Sequence, residues 1–421
     1  MRRIFMLIAM LLLATAAVHA EPRTVCFRLK LADDRYNCPA PSEDGARRAC
    51  AKGSSVDAIG HQVELWDKDW SSADELIGTW YIGGSGTQCM DFEWERADYA
   101  KGEVDPDLYL RYINVVNRTG YSNYVRVKAV TTDGKDHPAT SWRNGQPNDP
   151  ERYVAMNCRA GTTCYMFPSG SLVPTNDIAS ERALRIMALD SAQHMLQTFG
   201  ELMDRDVNLH YPGKSDCTTS CAPDRSNFHI FSTQGADGIL TAHELGHNLQ
   251  MQRFGRDDLN DNLSKGGAGW NLTSDEFDSG ATQEGFASYV AVVSWYEPND
   301  FATVPLGWSL DFETAAGARS TCSANRGVPV QVAKAFWDLD DWNNEAGTTG
   351  GSANDSVRYA TDAIIRGWDM FPNGSGNREN NESGQDGVNM WDYYQNNKSR
   401  FTAAGFEDSF IRHNCLQDQA G

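Results

Sequence analysis

The feature that most constrains this chain is a pair of histidines, His243 and His247, with Glu244 directly after the first. Residues four apart lie on one face of an α-helix, about one turn from each other, so a helix here directs both imidazoles at a single metal ion. This is the arrangement H-E-x-x-H, in which the histidines bind zinc and the glutamate acts as general base. A catalytic zinc needs three protein ligands and one open position. The rest of the chain must therefore supply a third ligand.

The residues around these histidines predict a buried helix. Its packing stripe is apolar: Ile239, Leu240, Leu245 and Leu249. Gly246 is unfavourable in a helix interior, so its presence indicates that another backbone or the metal site comes close at this point. Glu244 lies one step around the helix, from where its carboxylate can reach a zinc-bound water and take its proton as hydroxide attacks a carbonyl. The alternative is an ordinary amphipathic helix with two surface histidines.

The third ligand is not a histidine of the metzincin type. That class needs a glycine and then a histidine at the places where this chain has Gln250 and Arg253. An aspartate is the second option, and the acidic segment that follows offers several: Asp257, Asp258, Asp261, Asp275 and Asp278. That segment has the composition of a long loop, which is a weak platform for an accurately placed ligand.

A glutamate offers the third option. Residues 281–296, ATQEGFASYVAVVSWY, have the apolar pattern of a buried helix, and Glu284 lies near its start. Coordination of zinc explains a charged side chain in such a helix. The alternative explanation is the favourable interaction of a carboxylate with the positive end of the helix dipole.

These two predicted helices resemble a known group of enzymes. HELGH followed by EGFASYV is similar to the gluzincin metallopeptidases, the broad group of thermolysin and the zinc aminopeptidases. Residues 332–345, VAKAFWDLDDWNNE, resemble a later helix of several secreted members, and the likeness covers roughly residues 180 to 345. The resemblance implies a zincin-like, mainly helical domain with a small sheet, and Glu244 as the base. It implies three zinc ligands: His243, His247 and Glu284.

The chain also departs from these enzymes. Between His247 and Glu284 lie 36 residues, a longer interval than in thermolysin, which indicates an inserted loop at 254–280. The aminopeptidase motif G-x-M-E-N, which grips a free amino terminus, is absent, so nothing indicates exopeptidase action. Ser288 stands where thermolysin-like enzymes have an aspartate that orients a histidine. Either Asp278 or Ser288 is therefore the candidate to fix an imidazole tautomer.

Further roles are expected elsewhere in the same region. Family members stabilise the oxyanion with a tyrosine or histidine from farther along the chain, for which the candidates are Tyr359, His413 and Tyr289. Residues 227–233, NFHIFST, are predicted to be a strand that lines the cleft and pairs with an extended substrate through backbone hydrogen bonds. Residues 176–203 predict a helix, in which His194 is expected to be packed or exposed rather than a ligand.

The N-terminal part predicts β structure. Short alternating segments separated by Asp, Gly and Asn, from residue 24 to about 150, are typical of a sandwich. The order VELWDKDWSSADELIGTWYIGGSGTQCMDFEW, followed by PDLYLRY, resembles transthyretin-like β-sandwich modules. Three acidic residues of one loop could bind Ca²⁺, with a solvated acidic loop as the alternative: Asp67, Asp69 and Asp74.

The fold class expected is therefore α+β, with an N-terminal β-sandwich followed by the zincin-like metallopeptidase domain. The sandwich is expected over residues 21–150 and the metallopeptidase domain over residues 151–421. Residues 141–164 are rich in turn formers and are predicted to connect the two.

The chain has the features of an exported protein. Residues 1–20 predict a signal peptide, with Arg2 and Arg3 before an apolar run and Ala20 at the cleavage position. The apolar run is short for a membrane span and no second one follows, so no span is expected. All ten cysteines lie after residue 20, which predicts disulfides, including local ones at Cys158–Cys164 and Cys217–Cys221.

Charge and motifs together limit the function. The formal net charge of −20 argues against a nucleic-acid partner. The leading hypothesis is a secreted or periplasmic zinc endopeptidase that hydrolyses a protein or peptide substrate through a zinc-bound water activated by Glu244. One alternative is an exported binding or adhesion protein with an idle or structural zinc site. Another is zinc-dependent hydrolysis of a non-peptide amide.

Overall fold

The computed structural model contains both helices and strands, which confirms the mixed α+β class. The predicted signal segment, 1–20, lies outside the described residues. The structure describes residues 21–33, 54–68, 73–94, 106, 108–119, 125–143, 146–147, 163–173, 181–213, 217, 219–235, 237–257, 271–274, 276–298, 327–341, 357–371, 387–403, 405–407, 410–411 and 416.

The elements follow one another in this order along the chain. The strands are β1 (Glu21–Asp33), β2 (Ser54–Asp57), β3 (His61–Asp67), β4 (Glu75–Tyr81), β5 (Thr87–Trp94), β6 (Leu108–Asn117), β7 (Arg126–Val130), β8 (Thr140–Arg143), β9 (Gln146–Pro147), β10 (Thr163–Val173), β11 (Val207–His210), β12 (Cys221–Asp224) and β13 (Asn227–His229). The α-helices are α1 (Glu181–Phe199), α2 (Gly238–Phe254), α3 (Asp278–Trp295), α4 (Pro329–Asp338), α5 (Thr361–Ile365) and α6 (Met390–Asn397). Short 3-10 turns follow α1 and α5.

Two compact units share the chain in an interleaved way. Among the described residues, the first unit takes the chain up to 31, then 57–113 and 139–173, and the second takes the rest. The sequence predicted a single boundary near residue 150. The difference arises because β7 pairs in parallel with β11, from Val127 opposite Val207 to Val130 opposite His210, so it belongs to the sheet of the second unit.

The first unit is built from strands. β1 pairs with β5 in antiparallel and with β10 in parallel orientation, and Cys26 lies opposite Cys89, to which it is joined by a disulfide. β10 overlaps the end of the predicted connector, so that stretch is not wholly a linker. β3 and β4 form an antiparallel pair in which Val63 and Leu65 are fully buried, as their alternation predicts.

The second unit contains a four-stranded arrangement in the order β12-β13-β11-β7, and the end of β6 pairs with β7. The helices of this unit carry its large apolar core. Asp237 caps the N-terminus of α2, and its side chain accepts a hydrogen bond from the backbone N–H of Leu240 at 2.8 Å. Gly255 caps the C-terminus, where its positive φ of 83° allows its N–H to bond the carbonyl of Met251.

The helices α2 and α3 are buried on nearly all sides. None of the helices in the described part of the chain is long and apolar enough to cross a membrane. α3 also packs closely on α4. A Cβ atom added to Gly285 would lie 2.5 Å from the Cβ of Val332 and 2.6 Å from the carbonyl oxygen of Pro329. Glycine at this position is therefore required by the approach of α4.

We expect Gly285→Ala to lower the free energy of unfolding by about 1–3 kcal/mol, because the added methyl must displace the backbone of α4. Thermal and denaturant unfolding, followed by circular dichroism, measure the loss. Gly84→Ala is the matched control, since nothing lies within 4 Å of the added atom there. Equal unfolding midpoints for the two variants would contradict the close packing of α3 on α4.

Candidate metal centre

The structure brings the three predicted ligands together in the second unit. His243 Nε2 lies 3.0 Å and His247 Nε2 lies 3.4 Å from Glu284 Oε2, and the two Nε2 atoms are 3.1 Å apart. All three side chains are buried. Within the described residues, they form the one group of three or more histidine, cysteine, aspartate or glutamate side chains that could hold a metal ion.

Two helices position these ligands. α2 presents both histidines from consecutive turns, and α3 presents Glu284 from its second turn. The helices approach closely at Gly246, where an added Cβ atom would lie 3.2 Å from both the Cα and the carbonyl oxygen of Ala287. This confirms the expectation that glycine at 246 admits another backbone. The close approach lets a side chain as short as glutamate reach across to both imidazoles.

Of the aspartates considered as third ligands, the structure describes Asp257 and Asp278, and neither belongs to the group formed by His243, His247 and Glu284. Asp257 is paired with Arg225, with 2.6 Å between Oδ1 and Nε. Asp278 is the first residue of α3, on the same helix as Glu284. Asp258, Asp261 and Asp275 lie outside the described residues.

The predicted calcium loop is described only in part. Asp69 lies outside the described residues. Asp67 is buried at the end of β3, and Asp74 accepts a hydrogen bond from the Tyr109 hydroxyl at 2.6 Å. The calcium site stays a prediction.

Ser288 lies beside Nδ1 of His243. Its hydroxyl donates to the backbone carbonyl of Glu284 at 2.7 Å, so the same oxygen is left as an acceptor for Nδ1 of His243, 3.3 Å away. An Nδ1–H bonded to Ser288 leaves the Nε2 lone pair of a neutral imidazole directed at the metal position. Ser288, one of the two candidates from the sequence, therefore lies beside a histidine ligand.

Electrostatics keeps the carboxylate of this cluster ionised. Burial raises the pKa of Glu284, but the charge of His247 and the hydrogen bonds from both imidazoles outweigh it and hold that pKa at about 2. Burial lowers the pKa of His243. It also lowers the pKa of His247, but the charge and hydrogen bond of Glu284 outweigh burial and leave that pKa raised. Glu284 is thus an ionised carboxylate, which is the form that binds a metal.

The donor set itself fits a metal ion. Two imidazole nitrogens face each other at 3.1 Å and share one carboxylate oxygen as neighbour. When both neutral imidazoles carry their protons on Nδ1, two Nε2 lone pairs face each other, and a cation between them removes the repulsion; in the other tautomer one Nε2–H donates to the second ring. A divalent cation satisfies all three donors at once.

Glu244 differs sharply from Glu284. Burial raises its pKa to about 8, while His247 lowers it and Glu284 raises it to a smaller extent. A carboxyl with a raised pKa can hold a proton near neutral pH, as a general acid or base must. A bound divalent cation would favour its ionised form.

The three candidates for an oxyanion donor differ in their surroundings or lie outside the described residues. Tyr289 is fully buried and donates its hydroxyl proton to Asp340 Oδ2 at 2.7 Å, so that proton is already committed. Tyr359 accepts a hydrogen bond from the backbone N–H of Ala403 at 3.2 Å. His413 lies outside the described residues.

The prediction that residues 227–233 pair with a substrate is wrong for the strand they form. β13 is bonded on one edge to β12 and on the other to β11, so its backbone groups are already paired. The chain continues this pairing at Ile230, whose N–H bonds the carbonyl of His210. β12 is the outer strand of this group among the described residues.

Sequence analysis missed two amide side chains that anchor α2. Asn248 donates to the carbonyls of Asp224 at 2.6 Å and Asn227 at 2.9 Å. Gln252 donates to the carbonyl of Arg225 at 2.8 Å and accepts from the backbone N–H of Asp204 at 2.9 Å. The spacing of four residues placed them on one helix face, but their backbone partners come from distant segments.

His194 behaves as expected for a packed histidine. Its Nε2 lies 2.7 Å from the carbonyl oxygen of Ser294, and its ring centroid lies 4.2 Å from that of Trp295. The predicted local disulfide Cys217–Cys221 is present, whereas Cys158 lies outside the described residues.

Comparisons with known proteins leave the metal centre as the main guide to function. The chain matches no family model, and it matches no curated protein. Among solved structures it is matched to a 9R-lipoxygenase from Cyanothece PCC8801, at 13% identity over 45% of this chain and 24% of the lipoxygenase. The TM-score of that match is 0.17, which is too low to indicate a common fold.

We expect Ser288→Ala to weaken metal binding about 10- to 100-fold, because His243 loses the acceptor that holds its Nδ1–H. Titration with Zn²⁺ against a chromophoric chelator measures the change. Ser294→Ala is the matched control on the same helix, since its hydroxyl donates to the Ala291 carbonyl one turn back. Equal affinities in the two variants would contradict an orienting role for Ser288.

Proposed function

We propose that this protein is a secreted zinc-dependent endopeptidase. The observation that carries the proposal is the convergence of His243, His247 and Glu284, with Glu244 on the same turn as the first ligand. Two histidines and one glutamate are a ligand set of catalytic zinc sites, in which a fourth position stays open for water or substrate. The likeness of HELGH and EGFASYV to the gluzincins supports the same assignment.

The donor types favour zinc over other ions. Imidazole suits zinc and its neighbours among the transition metals, whereas calcium and magnesium prefer oxygen ligands alone. When bound, zinc polarises a substrate carbonyl and makes a neighbouring water acidic. Glu284 remains ionised and balances part of the ion's charge. Ser288 keeps His243 in the tautomer that leaves Nε2 free.

Glu244 performs the proton transfer in this proposal. Its carboxylate takes the proton from the attacking water and delivers it to the nitrogen of the leaving amine. The raised pKa of this buried carboxyl suits the second half of that task, because the side chain must hold the proton until the amine accepts it. Tyr359 and His413 remain the candidates to donate a hydrogen bond to the oxyanion.

Internal cleavage and export complete the proposal. The chain lacks the G-x-M-E-N motif of the zinc aminopeptidases, which favours cuts within a chain over removal of terminal residues. The disulfides Cys26–Cys89 and Cys217–Cys221 favour an oxidising compartment, as does the predicted signal peptide. The strand-built first unit is proposed to be the transthyretin-like module that accompanies the peptidase domain.

We expect Glu244→Gln to reduce the cleavage of an unfolded protein substrate about 10²- to 10⁴-fold, since the amide cannot accept the proton. Zinc binding should persist, because the metal ligands are unchanged. Mass spectrometry of the fragments measures both the rate and the position of the cuts. Glu201→Gln, on the 3-10 turn after α1, is the control and should cleave as the unchanged protein does.

The same experiment separates the competing functions. Internal cuts that disappear in Glu244→Gln, but not in the control, support an endopeptidase. A zinc-loaded protein that makes no cuts in any unfolded chain would contradict the proposal, and would favour a binding protein or the hydrolysis of a non-peptide amide.

A further inference from the structure

Gln250 is a buried side chain whose amide makes no hydrogen bond in the described part of the chain. It lies on α2, seven residues after His243 and three after His247, and its exposure is 0%. Neither its Oε1 nor its Nε2 has a hydrogen-bond partner among the described residues. Burying an amide without partners is costly, and leucine or methionine would fill similar space without that cost.

The other buried amides of α2 show what is unusual about Gln250. Asn248 and Gln252 lie two residues before and after Gln250. Their amide N–H groups donate to backbone carbonyls within residues 224–227, where the chain turns from β12 to β13. These side chains anchor the helix. Gln250 lies on a different face, the face that carries the two histidine ligands, because residues three, four and seven apart share one side of a helix.

His247 also has a polar atom without a partner. Its Nδ1 is buried and has no hydrogen-bond partner among the described residues. His243 differs, since Ser288 stands 3.3 Å from its Nδ1. A histidine that binds metal through Nε2 carries its proton on Nδ1, and that N–H almost always donates to an outer acceptor. In the described part of the chain, Nδ1 of one histidine ligand thus has a neighbouring hydroxyl and Nδ1 of the other has no partner.

Helix geometry directs the side chain of Gln250 towards His247. Side chains on an α-helix lean towards its N-terminus, so a residue covers the turn before its own Cα. Gln250 therefore covers the turn that holds His247. Residues three apart have Cβ atoms about 5–6 Å from each other, which a glutamine side chain can span directly or with one water molecule. Its Oε1 is an acceptor, and the Nδ1–H of a metal-bound imidazole is a donor.

We infer that Gln250 is the positioning residue for His247: its Oε1 accepts the hydrogen bond of Nδ1–H when the metal is bound. Gln250 and Ser288 then serve the two histidine ligands in the same way, one from within α2 and the other from α3. The inference rests on the proposed metal centre, but it does not depend on which bond, if any, the protein cleaves.

Gln250→Leu tests the inference through two readouts with opposite signs. In the metal-free protein, leucine removes an unbonded amide, so the unfolding midpoint should stay the same or rise. The affinity for Zn²⁺, measured by competition with a chelator, should fall about 10- to 100-fold because His247 loses its acceptor. Gln250→Glu keeps an oxygen acceptor and should restore the affinity to within about threefold of the unchanged protein.

Gln252→Leu is the matched control on the same helix. It removes an amide that is fully bonded, so it should lower the unfolding midpoint of the metal-free protein. Three results would overturn the inference: unchanged Zn²⁺ affinity in Gln250→Leu, equal affinities in Gln250→Leu and Gln250→Glu, or a loss of metal-free stability as large as that of Gln252→Leu.

These outcomes are independent of the proposed peptidase activity. A protein that binds Zn²⁺ but cleaves no peptide bond would contradict the proposed function and leave the role of Gln250 to be decided by affinity alone. A protein that binds no Zn²⁺ would overturn both.

Discussion

The approach of α2 to α3 at Gly246 is the contact on which the candidate metal centre depends. A Cβ atom at 246 would come within 3.2 Å of the Ala287 backbone. A larger residue would push α3 away and carry Glu284 with it, because the carboxylate reaches both imidazoles only across this narrow gap. The same helix is held on its other side by Asn248 and Gln252, so α2 cannot shift to make room. Metal ligands require placement this tight, and rigid elements provide it better than loops.

The surroundings of the buried glutamates then set their pKa values. Glu244 and Glu284 are both glutamates, both are buried, and both interact electrostatically with His247. Contact with two imidazoles keeps Glu284 ionised, whereas burial raises the pKa of Glu244 to about 8. Their separation in pKa follows from surroundings, since the side chains are chemically identical. Sites that run acid and base chemistry near neutral pH are built on such separations.

Local features of this protein could be predicted from sequence, and distant pairings could not. The histidines of α2 were predictable because a spacing of four fixes their common face within one helix. Glu284 was predictable only with the help of a resemblance, since the residues alone allowed a helix-dipole role. Alternation identified β3 to β7 as strands. The partner of β7 was beyond reach, because its parallel register with β11 joins Val127 to Val207 across a long stretch of chain.

The same distinction explains why side-chain roles were harder to predict than positions. Tyr289 looked suitable as an oxyanion donor until the structure placed Asp340 beside it, and nothing local in the sequence specifies that hydrogen bond. Ser288 shows the opposite case. A serine one turn after a glutamate bonds the carbonyl four residues back in many helices, so its donor is spent locally and its oxygen is left to accept. Ser288 can therefore orient His243 without a charge, where an aspartate would add a third buried carboxylate beside Glu284 and Glu244. A neutral acceptor leaves the cluster with fewer negative charges to compensate when no metal is bound, which limits the cost of keeping this site buried.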